Sequence, residues 1–191
     1  MYQQQKKENM VFNDITGDEK LWAVRFEGEI NNEFIKLFYN WNDAMWLRTF
    51  FKENINDLSA YFKITDINQA VKDTIEDSKR LRCIIMDISP ETDLSKLFRP
   101  LDNNQASDTM LQKEKARLKR EFGHSSWLRL YAIKLTAEVY IITGGAIKLT
   151  ATMQEREHTR KELAKIDKVR RYLLEEGIID DSGFIDYINE L

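Results

Sequence analysis

The sequence predicts an α+β fold, a small antiparallel β-sheet packed against several helices. Three observations carry this. Gly (7) and Pro (2) are scarce in 191 residues, which favours long helices over a many-turned sandwich or barrel. Phe34, Leu37, Phe38 and Trp41 recur at i, i+3, i+4 and i+7, an amphipathic helical stripe. Ser126–Leu135 alternates, and Glu138–Thr143 contains the continuous strand-forming run Val139-Tyr140-Ile141-Ile142-Thr143, with only Thr136-Ala137 between the two segments. That spacing predicts an antiparallel hairpin.

The elements follow in order. Residues 1–20 carry few apolar anchors and read as a loose arm. Leu21–Glu29 is β-rich and bounded by polar residues, a first strand. Asn31-Asn32-Glu33 places a cap and an acid at the start of the Phe34 helix. Asp43 caps the next helix, with Trp46, Leu47, Phe50 and Phe51 at the same spacing. Asn56 or Asp57 starts a short helix through Leu58, Tyr61 and Phe62. Asp66 caps a longer one reaching about Met86, which Pro90 stops. Asp93–Phe98 reads as a helical turn, and Arg99–Asn104 as loop or the end of a short strand. Leu111–Phe122, basic and poor in apolar positions, reads as an exposed helix or a hairpin arm. In the alternating strand Trp127, Arg129, Tyr131 and Ile133 share one face, and Leu128, Leu130, Ala132 and Lys134 the other. Met153–Glu176 reads as a helix closed by Gly177, and Asp180-Asp181-Ser182 caps a last one through Phe184, Tyr187 and Ile188.

Apolar residues make up 42% of the chain, enough for a core of one domain. Cys83 is the one cysteine, so an intramolecular disulfide is excluded, and a small buried hydrophobe is its plainest role. Met1–Met10 is polar and lacks a signal-peptide core, and there is no run of about 18 apolar residues to span a membrane. A cytoplasmic protein is expected. The net charge of −3 hides an asymmetry: residues 111–171 hold 15 Lys/Arg against 7 Asp/Glu, a net of +8, and the rest is at −11. Such a basic segment either marks a polyanion-binding face or is neutralised by the rest of the fold.

Few motifs carry chemistry. His124 and His158 fall in no metal-ligand pattern, so neither a metal nor a cofactor is expected. Gly144-Gly145 lacks the following Lys-Ser/Thr of a phosphate loop; it permits a bulge or close backbone approach, or shapes a loop presenting Lys148. Ser125-Ser126 beside His124 has no accompanying acid at a defined spacing. Arg129 among aromatics is either a structural stack or a phosphate ligand, with Trp127 or Tyr131 stacking on a base. Lys113, Lys115, Arg117, Lys119 and Arg120 form a charge run that is either a solvated face or, abutting the Arg129 strand, a nucleic-acid contact.

Trp127-Leu128-Arg129-Leu130-Tyr131, followed by Val139–Thr143 and Gly144-Gly145-Ala146-Ile147-Lys148, resembles the RelE/ParE/HigB toxin superfamily, as does the order strand, helical hairpin, sheet. The resemblance implies a core over 21–150 with a helical insertion at 65–122, and C-terminal helices over 151–191. It implies metal-independent cleavage of messenger RNA on the ribosome, with Arg129, Lys148 and Tyr131 in the site and His124 a proton donor by proximity. Its partner would be an antitoxin, of helix–turn–helix type, covering Arg129 and Lys148. The chain is about twice the usual length of such toxins and is net acidic. A non-enzymatic interaction protein on the same scaffold, binding a helix–turn–helix partner or nucleic acid, is the other reading; a small-molecule enzyme would need a polar pocket around Arg129.

Overall fold

A six-stranded mixed sheet with helices on both faces organises the residues described in the computed structural model, 9–87, 94–102, 110–136 and 138–191. The strands are β1 (Val11–Asp14), β2 (Leu21–Arg25), β3 (Phe98–Pro100), β4 (Gln112–Ala116), β5 (Leu128–Lys134) and β6 (Tyr140–Ile147). Their spatial order is β1-β2-β6-β5-β4-β3. Every neighbouring pair is antiparallel except β2 with β6. The sheet is therefore larger than the small antiparallel one expected, and one of its pairs is parallel. The parallel pair requires a long crossover, which the chain fills with α1 (Glu33–Asn40), α2 (Ala44–Glu53), α3 (Ile55–Phe62), α4 (Ile67–Met86) and the β3–β5 meander.

Sequence period 2 in the strands sorts side chains onto two cores. Leu128, Leu130 and Ala132 of β5 join Leu21, Ala23, Tyr140 and Ile142 under α1 to α4. Tyr131 and Ile133 join Trp22, Val24 and Ile141 under α5 (Glu157–Glu175) and α6 (Asp181–Glu190). The caps read from the sequence form as hydrogen bonds: Asn32, Asp43, Asp66 and Asp180 each accept a backbone N–H from the first turn of the following helix. At the end of α5, Gly177 is left-handed (φ 73°). Its N–H reaches the Leu174 carbonyl and that of Ile178 reaches Leu173, the paired bonds of a Schellman close.

Several expectations change. Residues 9–20 are not all arm: β1 pairs with β2, anchored by buried Met10 and Phe12. Residues 111–122 are neither helix nor free arm. They contain β4, in which Gln112, Glu114 and Ala116 face inward while Lys113 and Lys115 alternate outward. The period is 2, but polar residues fill both faces, so apolar periodicity does not register it. Asp93–Phe98 holds a 3-10 turn at Leu94–Lys96, then enters β3. There Pro100 is tolerated because β3 is an edge strand. The long C-terminal helix begins at Glu157 rather than Met153. Trp127 precedes β5 and packs with the opposite core from Arg129 and Tyr131. The expectations for residues 1–8, Pro90, Asp93, Asn103, Asn104 and Ala137 lie outside the described residues. Among the described residues no helix is long and apolar enough to cross a membrane.

The glycine pair has a geometric reason. Tyr131 pairs with Gly144 and Ala132 with Ile142, so Thr143 is an extra residue in β6, a bulge that reverses which face each later residue takes. After it, Gly144 turns toward Glu162 and Lys165 of α5, and Gly145 toward Leu37 of α1. A Cβ on Gly145 would stand 2.6 Å from the Arg129 carbonyl oxygen and 2.9 Å from Leu37 Cδ1. Gly145→Ala is therefore expected to destabilise by about 1–3 kcal/mol through overpacking against backbone, read as a lowered melting temperature. An unchanged melt would refute this account of the close approach.

Candidate nucleic-acid interface

The three strands at one end of the sheet carry cations on the face shared with α5. Arg99 of β3 lies directly opposite Lys115 of β4, and Lys115 directly opposite Tyr131 of β5. Like charges opposite one another weaken a strand pair. A local conflict of this kind is the usual mark of a functional surface. Arg129 lies on the same face of β5, two residues before Tyr131. The loop after β6, with Lys148, and the first turns of α5 close the far side.

Together these elements enclose a concave pocket of roughly 590 Å³. Six basic side chains line it (Arg99, Lys113, Lys115, Arg117, Arg129 and Lys148), against two acids, Asp102 and Asp167. One acid is committed, since Lys113 pairs with Asp167 at 3.0 Å. Arg99 and Arg117 make no ion pair among the described residues. Arg129 spends one nitrogen, Nη1, on the carbonyls of Ser126 (2.7 Å) and Leu128 (2.8 Å). Its Nε and Nη2 have no acceptor among the described residues, leaving a two-donor edge of the kind that matches a phosphate bidentately.

The electrostatics record crowding of like charge. Burial, then Arg117 and Arg99, push the Arg129 guanidinium down to about 10. Burial, then Arg129, lower both Lys115 and Lys148. Burial raises the Tyr131 phenol, so it keeps its proton at neutral pH. Its hydroxyl is buried without a hydrogen-bond partner among the described residues. An anion entering the pocket would meet the Nε–Nη2 edge of Arg129 with Arg99 and Arg117, which make no ion pair among the described residues.

The predicted residues divide. Arg129, Tyr131, Lys148, Lys113, Lys115 and Arg117 converge on this pocket. Tyr131 lies beneath its surface: the residue is 0% exposed, its hydroxyl is buried and its ring belongs to the α5 core. Lys148 also shapes the pocket wall, its ammonium donating to the carbonyls of Thr150 (3.0 Å) and Ala151 (2.5 Å). Trp127, His124 and Arg120 lie elsewhere. Trp127 is 0% exposed, stacked on His124 at 4.2 Å and donating to Thr74 Oγ1 at 2.9 Å, so its face is closed to a base. His124 and Arg120 engage Asp73, and Arg120 also Asp77, on α4. Lys119 is exposed outside the pocket lining. His158 is also spent structurally, on the Ile147 carbonyl at 2.9 Å. Sequence reading misses Arg99, hidden in a three-residue strand ending in Pro100, and the wall Ala151–Gln154. Among the described residues no group of three His, Cys, Asp or Glu could hold a metal ion.

That wall is anchored across the molecule. Arg156 Nε and Nη2 each bond an Asp57 carboxylate oxygen at 2.6 Å, and Glu155 accepts the Thr152 N–H at 2.6 Å. Arg156 holds the Asp57 carboxyl below its ordinary range. The pair's contribution is therefore present above the unfolded carboxylate pKa and is lost as pH falls through the lowered folded value. Asp57→Ala is expected to speed amide exchange over 150–156 and weaken anion binding, while β5 and β6 stay protected. Uniform exchange across the sheet and loop would contradict an anchoring role.

No protein-family model, curated protein or solved structure matches the chain. Its fold and site define an α+β protein carrying a cationic pocket on one face of a mixed sheet.

Proposed function

We propose that the pocket binds the phosphate backbone of RNA and that the protein is a toxin-like, metal-independent RNA-cleaving protein. The observation that carries this is the convergence of six basic side chains, from β3, β4 and β5 and from the segments that follow β4 and β6, on one concavity floored by Arg129. Cleavage by attack of the neighbouring 2′-hydroxyl forms a P–O2′ bond as the P–O5′ bond breaks; it needs charge neutralised on the non-bridging oxygens, the 2′-hydroxyl proton taken up by solvent, and a proton supplied to the leaving 5′-oxygen. Arg129 suits the first; water supplies the proton, the Tyr131 hydroxyl being buried. The reading also rests on the toxin-superfamily resemblance of 127–148, although the 65–122 segment that it assigns as a helical insertion contains β3 and β4 as well as α4. On this reading the protein acts in the cytoplasm on messenger RNA, and an antitoxin of helix–turn–helix type silences it by covering Arg129 and Lys148. Induced expression is expected to arrest growth with the wild type and not with Arg129→Ala; equal, normal growth for both would count against toxicity.

Two observations favour a second reading, a binding protein without catalysis: no histidine reaches the pocket, and the Lys148 ammonium is occupied by loop carbonyls. Purified protein incubated with RNA in excess chelator separates the two. Cleavage lost in Arg129→Met supports the first reading; tight binding with intact RNA supports the second.

A further inference from the structure

Across the sheet from the cationic pocket, α1 and α4 border a groove of roughly 610 Å³. Its floor is buried Phe34 and Phe38, and its α1 rim is Ile35 and Tyr39, 47% and 71% exposed. The α4 rim is Lys79 and Arg82. Met86, 48% exposed, falls on the same helical face at i+7 from Lys79. Neither Lys79 nor Arg82 makes an ion pair among the described residues; nearby Glu76 pairs with Lys72 and Asp77 with Arg120. Asp43, also at the groove, is consumed capping α2 through the Met45 and Trp46 N–H groups.

We infer that this groove docks an acidic amphipathic helix of a partner protein, apolar residues toward Ile35 and Tyr39 and carboxylates toward Lys79 and Arg82. Helices line both walls, so no strand edge is offered to an extended peptide, and a third helix is the matching shape. Lys79 and Arg82, without an ion pair among the described residues, set the occupant's sign. A second copy seated groove to groove offers no added carboxylates, since the groove's one acid, Asp43, is consumed as a cap. The groove packs on the α1–α4 core and the cationic pocket on the α5 side, so this occupant leaves the pocket open. The inference does not depend on what the pocket binds.

The test is fluorescence anisotropy of the full chain with a labelled synthetic amphipathic helix of about four turns, leucines on one face and glutamates flanking them. The expected result is saturable binding that Tyr39→Ala weakens by roughly tenfold, the size of one lost interface anchor. Lys79→Glu with Arg82→Glu should abolish it and instead admit the lysine-flanked version of the peptide. An RNA oligonucleotide should not displace the helix. Equal binding of glutamate- and lysine-flanked peptides, indifference to the double substitution, or displacement by RNA would each overturn the proposal. So would self-association in sedimentation that Tyr39→Asp abolishes. All three side chains lie at the groove rim, and circular dichroism of each variant checks that the fold is kept.

Discussion

Arg129→Ala is expected to lower RNA affinity by roughly 10–100-fold, because a charge-assisted hydrogen bond contributes about 1.5–3 kcal/mol. Arg129 is the most enclosed cation of the pocket, and burial with like-charge neighbours already lowers its guanidinium to about 10. Its Nη1 bonds to Ser126 and Leu128 fix its orientation in advance, so little is lost in ordering it when an anion arrives. Arg129→Met keeps the aliphatic stem and relieves repulsion with Arg117 and Arg99. It should therefore fold with a melting temperature close to wild type and still bind RNA roughly 10–100-fold more weakly. The check is a titration of labelled single-stranded RNA beside a thermal melt of each variant. Wild-type affinity in folded Arg129→Met would remove this residue from the site.

Trp127→Ala is expected to act oppositely, destabilising by about 3–5 kcal/mol, the usual cost of emptying a large buried aromatic site. That is a large share of a typical stability of about 5–15 kcal/mol. The indole packs edge-on with Phe51 and Phe62, at 5.5 and 5.2 Å between ring centres, and stacks on His124. Its N–H is bonded to Thr74. If Trp127 instead stacked on a base, the variant would melt normally and lose RNA binding. The expected outcome is a lowered melting temperature, with RNA affinity near wild type in whatever fraction remains folded. Denaturant unfolding with a parallel titration at low temperature separates the two.

The contrast between these neighbours shows what is legible in the sequence. The Phe34 stripe, the Asn32, Asp43, Asp66 and Asp180 caps and the β5–β6 hairpin are local features, and local periodicity and capping chemistry are written in adjacent residues. The placement of β2 beside β6 and of Arg99 beside Lys115 depends on pairings across the chain, which no local pattern carries. Alternation groups Trp127 with Arg129 as though the strand already began there. It begins at Leu128, so Trp127 lies ahead of the alternation and packs with the α1–α4 core, while Tyr131 and Ile133 keep the face the alternation gives them. The charge run at 113–120 is visible in the sequence, but its partners are not. Arg120 has Asp73 and Asp77, from an element more than forty positions earlier, while Arg117 makes no ion pair among the described residues.

The central claim is that the cationic pocket on the α5 face binds RNA through its phosphates, and salt dependence tests it most directly. For single strands, log K is expected to fall linearly with log salt by about 0.7 for each phosphate neutralised. Contacts by about four pocket cations would then give a slope near −3, reduced by roughly one contact's share in Arg129→Met. A slope near zero, or an unchanged slope in that variant, would contradict the account.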